Sequence, residues 1–360
     1  MMNRIVFCTL RDNKGATGGP GGVLFLQKEM LGSSIVGVTC EYWFNTFEGR
    51  NKLLNIIIFF IKCMFKGDTY FFTHDIMSGW ILSLLRKNYT LVYHNQGPIA
   101  EEIMNLGVKH NRISLYILRH MERSAFTNAQ TLHFPSMGAA DMFFDSKYAT
   151  CGREEVRLVK PLYNIIPLVN PQKPKKFSLD KADDYLTFFS LGTLTLAKGQ
   201  DQTIEFLAEF LKSYKHSIRY IMVGKGPLKD QLIKRLDELK REHKHFTYHY
   251  FETVSHDIVM YLHKIADIYI MLHRISIFDF ATLEAMSQDS AVVLSRVGGN
   301  MEFNLDNNIV YADDALMNMD KFAKIDFNAM KVRNKQVFSK YFSKEAFRKQ
   351  YEDFITSVGA

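Results

Sequence analysis

YLTFFSLGTLTLAKGQ (Tyr185–Gln200), QTIEFLAEFLKSY (Gln202–Tyr214) and RYIMVGKGP (Arg219–Pro227) follow one another and alternate between two kinds of segment. The first and third are short apolar runs that end in a glycine turn, as buried strands do. The second places Ile204, Leu207, Ala208 and Leu211 on one face at helical spacing. The alternation continues through LKDQLIKRLDELKREH, a charged helix, then HFTYHYF, DIYIMLH and SAVVLSRVGG. Strands alternating with helices imply a parallel sheet covered on both faces.

The same reading extends toward the N-terminus. RIVFCTL is a strand, RDNKGATGGPGG a glycine-dense loop and VLFLQKEML a helix. Strands recur at SSIVGVTC, DTYFFTH, YTLVYHNQG and AQTLHFPS. Between the two alternating sets lies NPQKPKKFSLDKAD (Asn170–Asp183), rich in lysine and proline, which reads as an interdomain linker. The expected organisation is residues 1–170 as one α/β domain, 171–183 as linker and 184–339 as a second α/β domain. The tail from Asn334 to Val358 is helical in pattern, with aromatic residues on one face. A chain of 360 residues exceeds what one hydrophobic core normally serves, which agrees with two domains.

Composition excludes several classes. Hydrophobic residues make up 47% and charged residues 23% of the chain, values of a globular protein rather than a disordered one. Of the net charge of +7, +5 lies in residues 1–170; a basic face of this kind can meet phosphates or an anionic membrane. Cys8, Cys40, Cys63 and Cys151 form no CxxC pair and no zinc spacing, so reduced thiols and a cytoplasmic location are expected. The longest apolar stretch, LLNIIIFFIKCMF (Leu53–Phe65), is too short to span a bilayer, which takes ~20 residues. It is either a buried helix or a helix lying at a membrane surface, where Arg50, Lys52, Lys62 and Lys66 would flank it. The helix-like NRISLYILRHMERSAF brings Arg112, Arg119 and Arg123 near one face, which suits either ordinary packing or membrane phosphates. His243, His245 and His249 straddle a helix end and a strand and lack carboxylate or thiol partners at ligand spacing, so no metal is expected there. No GxSxG elbow, GxxxxGK[ST] loop or GxGxxG fingerprint occurs.

Candidate chemistry sits at strand ends. Three glycine turns, Gly18-Gly19 with Gly21-Gly22, Gly224-Lys225-Gly226 and Gly298-Gly299, follow strands. Ligands of open α/β sheets bind there, and glycine lets the backbone approach a phosphate. Lys198 lies just past a strand, where an ammonium can meet a diphosphate or simply face solvent. In HRISIFDFATLEAMSQDSAVVLSRVGGNMEF (His273–Phe303), a helix is expected to start near Phe280, Ala281 and Thr282, with Glu284 one turn inside it. A carboxylate there can accept hydrogen bonds from a vicinal diol such as ribose, or act only on the helix dipole.

That last stretch resembles the donor-site signature of the retaining glycosyltransferases of family 4, also called group 1. The matching residues are Leu283-Glu284-Ala285-Met286, Val292-Val293, Ser295 and Gly298-Gly299 followed by Glu302. SLGTLTLAKG resembles the family's lysine element, with Lys198 in the lysine position, and VGKGPLKDQL its Gly-x-Gly-Pro-Leu turn. In the first half, the TGGPGG loop, His94 in VYHNQG and FPS ending at Ser136 sit where the family has comparable features. The sequence departs from the pattern at two positions. Ser276 occupies the place of the first signature glutamate, with Asp279 the nearest carboxylate. Thr193 occupies the place of the family arginine, and Arg274 is the candidate to supply its charge.

The resemblance implies a GT-B fold: two Rossmann-like domains facing across a cleft, with the C-terminal helix (340–360) crossing back to the N-terminal domain. It implies transfer of a sugar, with retention, from a UDP or GDP sugar to a glycan or lipid-linked acceptor, at the inner face of a bacterial cell membrane during surface polysaccharide assembly. His94, Lys198 and Glu284 would be catalytic. Gly18, Gly19, Thr193, Gly224, Arg274, Ser276, Asp279, Phe280, Ala281 and Thr282 would hold the donor. Neither a metal, nor another cofactor, nor nucleic acid is implied. A GT-B nucleotide-sugar 2-epimerase and a non-catalytic GT-B partner subunit are the alternatives.

Overall fold

Apolar runs of four to six residues dominate the strands because both faces of each sheet are covered; β-strands buried on both sides need no polar alternation. The computed structural model describes residues 3–11, 20–44, 52–105, 111–175, 177–181 and 183–359. The chain divides into two units, one of Met1–Ile166 with Ser343–Ala360 and one of Pro167–Phe342.

The first unit runs β1 (Arg4–Cys8), α1 (Pro20–Leu31), β2 (Ser34–Ile35), β3 (Val38–Trp43), α2 (Lys52–Met64), β4 (Tyr70–Thr73), α3 (Ile76–Leu84), β5 (Tyr89–Val92), α4 (Ile99–Asn105), α5 (Arg112–Thr127), β6 (Thr131–His133) and α6 (Met137–Phe144). Its sheet has the order β2-β3-β1-β4-β5-β6. All its pairs are parallel except β2 with β3. SSIVGVTC, expected as one strand, is a hairpin. Ile35 pairs with Val38 across a two-residue turn at Val36 and Gly37, both at positive φ, the geometry that matches strand twist.

The second unit runs β7 (Leu186–Leu191), α7 (Gln200–Ser213), β8 (Ile218–Val223), α8 (Lys229–Glu242), β9 (Phe246–Phe251), α9 (His256–Ile265), β10 (Ile268–Met271), α10 (Phe280–Ser287), β11 (Ala291–Leu294), β12 (Val310–Tyr311), α11 (Ala312–Met317), α12 (Met319–Phe322) and α13 (Phe327–Val337). Its sheet is parallel throughout, in the order β12-β11-β10-β7-β8-β9. The core lies on β7, β8, β10 and β11, with Phe188, Phe210, Tyr220 and Leu236 among its buried residues.

The expected linker belongs to this unit. The Phe177 ring lies 5.4 Å from Phe251, and the Asp180 carbonyl accepts from Arg219. The tail also differs from one continuous helix. A π-helical turn at Phe338–Phe342 follows α13, and α14 (Lys344–Gly359) starts anew. Ser343 Oγ accepts from the Ala346 N–H at 3.3 Å, as a cap does. α14 packs on the first unit: the Tyr351 ring is 5.6 Å from Phe72 and the Phe354 ring 5.3 Å from it.

α2 resolves the two readings of Leu53–Phe65 against burial. Only Asn55, Phe59 and Cys63 are buried along it. All four cysteines are buried and unpaired. Among the described residues, no helix is long and apolar enough to cross a membrane.

Candidate functional site

Topology locates the site before any side chain is considered. In the second sheet the order runs outward from β7 through β8 to β9 on one side and through β10 to β12 on the other. The switch point lies between β7 and β10, and the crevice outside their carboxyl ends is where open α/β sheets bind ligands. The loops Gly192–Gly199 and Leu272–Asp279 leave from there.

Four loops at these strand ends are laced by backbone hydrogen bonds. Leu194 N donates to Lys225 O, Arg274 N to Ala197 O, and Gly299 N to Ser276 O. The glycines serve this lacing. Gly224 has φ +151, and a Cβ there would stand 1.8 Å from Gly192 O; one on Gly299 would stand 1.8 Å from Ile277 O. Both glycines therefore admit a neighbouring backbone, which is by itself a reason for glycine at each position. Gly18 and Gly19 lie outside the described residues.

Lys198 closes a 3-10 turn, Leu196–Lys198. Its Nζ lies 3.5 Å from His273 Nε2 and 3.6 Å from Asp279 Oδ1. Neither contact is short, and the side chain is partly exposed, so the ammonium keeps donors for a ligand. Burial pushes His273 down to about 4, leaving it neutral. Asp279 caps α10: its Oδ2 accepts from the Thr282 N–H at 3.1 Å, the Thr282 hydroxyl at 2.9 Å and the Tyr269 hydroxyl at 3.1 Å. Burial works to raise its pKa, but Lys198, His273 and these hydrogen bonds together hold it below the usual carboxylate range. Of the N–H groups assigned to phosphate, that of Thr282 is thus taken by Asp279, while Phe280 and Ala281 form the first helical positions.

Glu284 stands within the same helix, partly buried. His256 Nε2 lies 2.8 Å from its Oε1 and His263 Nε2 3.6 Å from its Oε2. Burial would raise this carboxyl, and the two histidines hold it below its ordinary value. Ser276 is buried, and its hydroxyl has no partner within the protein. Thr193 is exposed, and its carbonyl accepts from Gln200 Nε2. Arg274 is engaged within the second unit. Its guanidinium makes a two-pronged pair with Asp201, at 2.8 and 2.6 Å. Both residues line a cavity of about 900 Å³ against α7 and α8, which Lys198, Asp279 and Glu284 do not line.

In the first unit, His94 follows β5. Its Nε2 lies 3.0 Å from His74 Nδ1. His74 Nε2 lies 2.8 Å from Gln27 Oε1, and Gln27 Nε2 donates to Tyr351 Oη at 2.6 Å. Burial lowers both imidazoles, His94 to about 4 and His74 well below its ordinary value, with His94 adding to the depression of His74. With the Gln27 amide oxygen facing His74, two neutral rings in this chain have one consistent arrangement. Gln27 Oε1 accepts, so His74 carries its proton on Nε2. His74 Nδ1 accepts in turn, so His94 carries its proton on Nε2 and keeps a lone pair on Nδ1. Nearby, buried Glu122 accepts from Tyr93 Oη at 2.6 Å and the Ile99 N–H at 2.8 Å, which fixes the loop after His94. Asp75 likewise ties Thr9 and Leu10 at the end of β1 to α3.

Sequence reasoning missed Gln27, His74, Glu122, His256, His263 and His273. His74 had a signal: it ends DTYFFTH just as His94 follows YTLVY. Among the described residues, no group of three or more His, Cys, Asp or Glu is placed to hold a metal ion.

Known proteins resemble this chain in sequence and in fold. Residues 171–324 match the family described as Glycosyl transferases group 1. An uncharacterized glycosyltransferase of Methanocaldococcus jannaschii is 30% identical over 125 residues, 35% of this chain and 31% of that protein. The matched stretch thus spans about a third of the relative's length. Among solved structures, sucrose-phosphate synthase from Thermosynechococcus elongatus has a TM-score of 0.68 at 15% identity, covering 99% of both chains. The trehalose-6-phosphate structure from E. coli bound with UDP-2-fluoro glucose scores 0.64 at 12% identity, with 98% of each chain covered. HepE of Anabaena in complex with UDP scores 0.60 at 15%, covering 99% of this chain and all of that one. The fold is that of GT-B glycosyltransferases, and residues 171–324 carry a domain of the glycosyl transferases group 1 type.

Proposed function

We propose that this protein is a retaining glycosyltransferase of family 4, which moves a sugar from a nucleoside diphosphate to a hydroxyl of a glycan or lipid-linked acceptor. The observation that carries the reading is the grouping of Lys198, the start of α10 and Glu284 at the topological switch point of the second sheet. Lys198 and the N–H groups of Phe280 and Ala281 meet the diphosphate, and Glu284 accepts from the ribose diol. Its oxygens each retain capacity beyond the contacts to His256 and His263. Ser276's unpartnered hydroxyl supplies a further polar contact within the same loop.

In the reaction, the bond between the anomeric carbon and the phosphate oxygen breaks while the acceptor oxygen bonds to that carbon on the same face. The acceptor proton passes to the departing phosphate. Charge growing on the diphosphate meets Lys198 and preorganised helix N–H groups, the kind of stabilisation that carries most such reactions. His94, with a lone pair on Nδ1, can accept from a sugar hydroxyl. No divalent ion is required, because Lys198 offsets the leaving charge and the oxygens of Asp279 are engaged by Thr282, Tyr269 and Lys198.

Calorimetry with UDP, GDP, ADP and TDP tests the reading. One of them binds, and Lys198→Ala weakens it. No binding at millimolar concentration refutes the proposal. With the donor known, transfer persists in excess EDTA, and proton NMR of the product shows the donor's anomeric configuration; an inverted linkage overturns retention.

A further inference from the structure

The crossovers of the first unit sort its helices by side. From β3 through β4 and β5 to β6 the chain advances in one direction across the sheet, and right-handed crossovers then put α2, α3 and α5 on the same face. α1 returns the other way and shares the opposite face with α14. α3 packs closely on α5: a Cβ on Gly79 would stand 3.2 Å from Ala125 Cβ.

The outer side of this helical layer is apolar. Along α2 and just past it, Leu53, Ile57, Ile61, Met64 and Phe65 make one stripe at helical spacing, with Leu53 66% and Phe65 77% exposed. α5 repeats the pattern with Ile113 72%, Tyr116 73% and Ile117 50% exposed. Side chains of this size are seldom left bare in such number on one face. The charges on and beside these helices are predominantly basic, with Asp68 past α2 and Glu155 beside α5 the exceptions. α2 carries Lys52 and Lys62 and no acid. α3 has no charged residue, and Arg86 and Lys87 follow it. α5 offers Arg112 and Arg119, while Arg123 is paired with Glu155, and the single acid of α5, Glu122, is fully buried.

We infer that the α2–α3–α5 face of the first unit seats the protein on a bilayer containing anionic lipids. The two stripes enter the boundary between headgroups and acyl chains, and the flanking lysines and arginines meet lipid phosphates. This division of labour is that of an amphipathic helix lying in the interface. A protein partner of equal fit needs an apolar surface rimmed by acid; the bilayer supplies both with no specific shape. The inference is independent of the transferase reading.

Flotation of the full chain tests it, using vesicles of phosphatidylcholine alone and of phosphatidylcholine with phosphatidylglycerol. The protein floats with the anionic vesicles only. The triple variant Leu53→Gln, Ile61→Gln, Phe65→Ser weakens partitioning by at least roughly tenfold, and Ile113→Gln with Tyr116→Ser does so through the second stripe. All five residues are exposed, and an unchanged melting temperature and unchanged far-ultraviolet circular dichroism confirm that the fold is intact. Failure to float with anionic vesicles, flotation insensitive to both variants, or a dimer of the wild-type chain that these substitutions dissociate would each overturn the proposal.

Discussion

Glu284 and Asp279 are near neighbours on and before the same helix, yet they carry different loads. Asp279 is committed to the protein, capping α10 and accepting from buried Tyr269. Glu284 faces two histidines, one of them exposed. Glu284→Ala is therefore expected to weaken donor binding by about 1.5–3 kcal/mol, the worth of hydrogen bonds to a charged group, with little change in melting temperature. Asp279→Ala is expected to do the reverse. It loses a cap worth ~1 kcal/mol and strands a buried hydroxyl at a further ~1–3 kcal/mol. Calorimetry beside thermal unfolding separates the two; greater damage to donor affinity from Asp279→Ala would mean that Glu284 has been given the wrong role. A second expectation concerns His94. Nitrogen chemical shifts of the imidazoles should report a neutral ring protonated on Nε2, and Gln27→Leu should release that preference. A ring protonated on Nδ1 would mean that the Gln27 amide faces the other way and the chain of hydrogen bonds runs in reverse.

At the scale of elements, the hairpin of β2 and β3 holds Val36 at φ +48. A β-branched residue resists that conformation, whereas asparagine before glycine suits it. Val36→Asn should raise stability by about 1 kcal/mol, read as a higher denaturant midpoint at unchanged slope. A lower midpoint would show that the turn is not as drawn. The same hairpin shows where sequence reading stops. The strands of the second unit were legible because apolar runs, glycine turns and helical periodicity agreed. SSIVGVTC read as one strand because Val36 is itself a strand former and gives no turn signal. The tail read as one helix because helical spacing continues across Phe338–Phe342, and only Ser343 marks the new start. In the site, Lys198 and Glu284 were legible because each lies in a local pattern. The ring chain from Tyr351 through Gln27 and His74 to His94 joins residues up to 324 positions apart, a distance no local spacing encodes. The pairing of Arg274 with Asp201 was not legible because Asp201 stands 73 positions away, in the first turn of α7.

At the scale of the molecule, the first unit depends on a segment from the far end of the chain. Phe347, Tyr351, Phe354 and Ile355 of α14 are all buried. At ~2 kcal/mol or more for each large apolar side chain, removing α14 forfeits roughly what a whole domain has to spare. A chain ended after Phe342 should therefore lose the first unit and keep the second. Hydrogen exchange would show β1, β4 and β5 unprotected while β7, β8 and β10 stay protected; retained protection in the first unit would show that α14 is dispensable.

This return of the chain sets a timetable for biosynthesis. The second unit is continuous, so all of its parts have been made by Phe342. The first unit, although made first, must wait for Lys344–Gly359 before Phe72 and Gln27 find Tyr351. Ordinarily the N-terminal domain folds first during synthesis; here the order of completion is inverted. Until α14 has been made, the nascent protein holds an unfinished sheet face that chaperones, rather than α14, must cover.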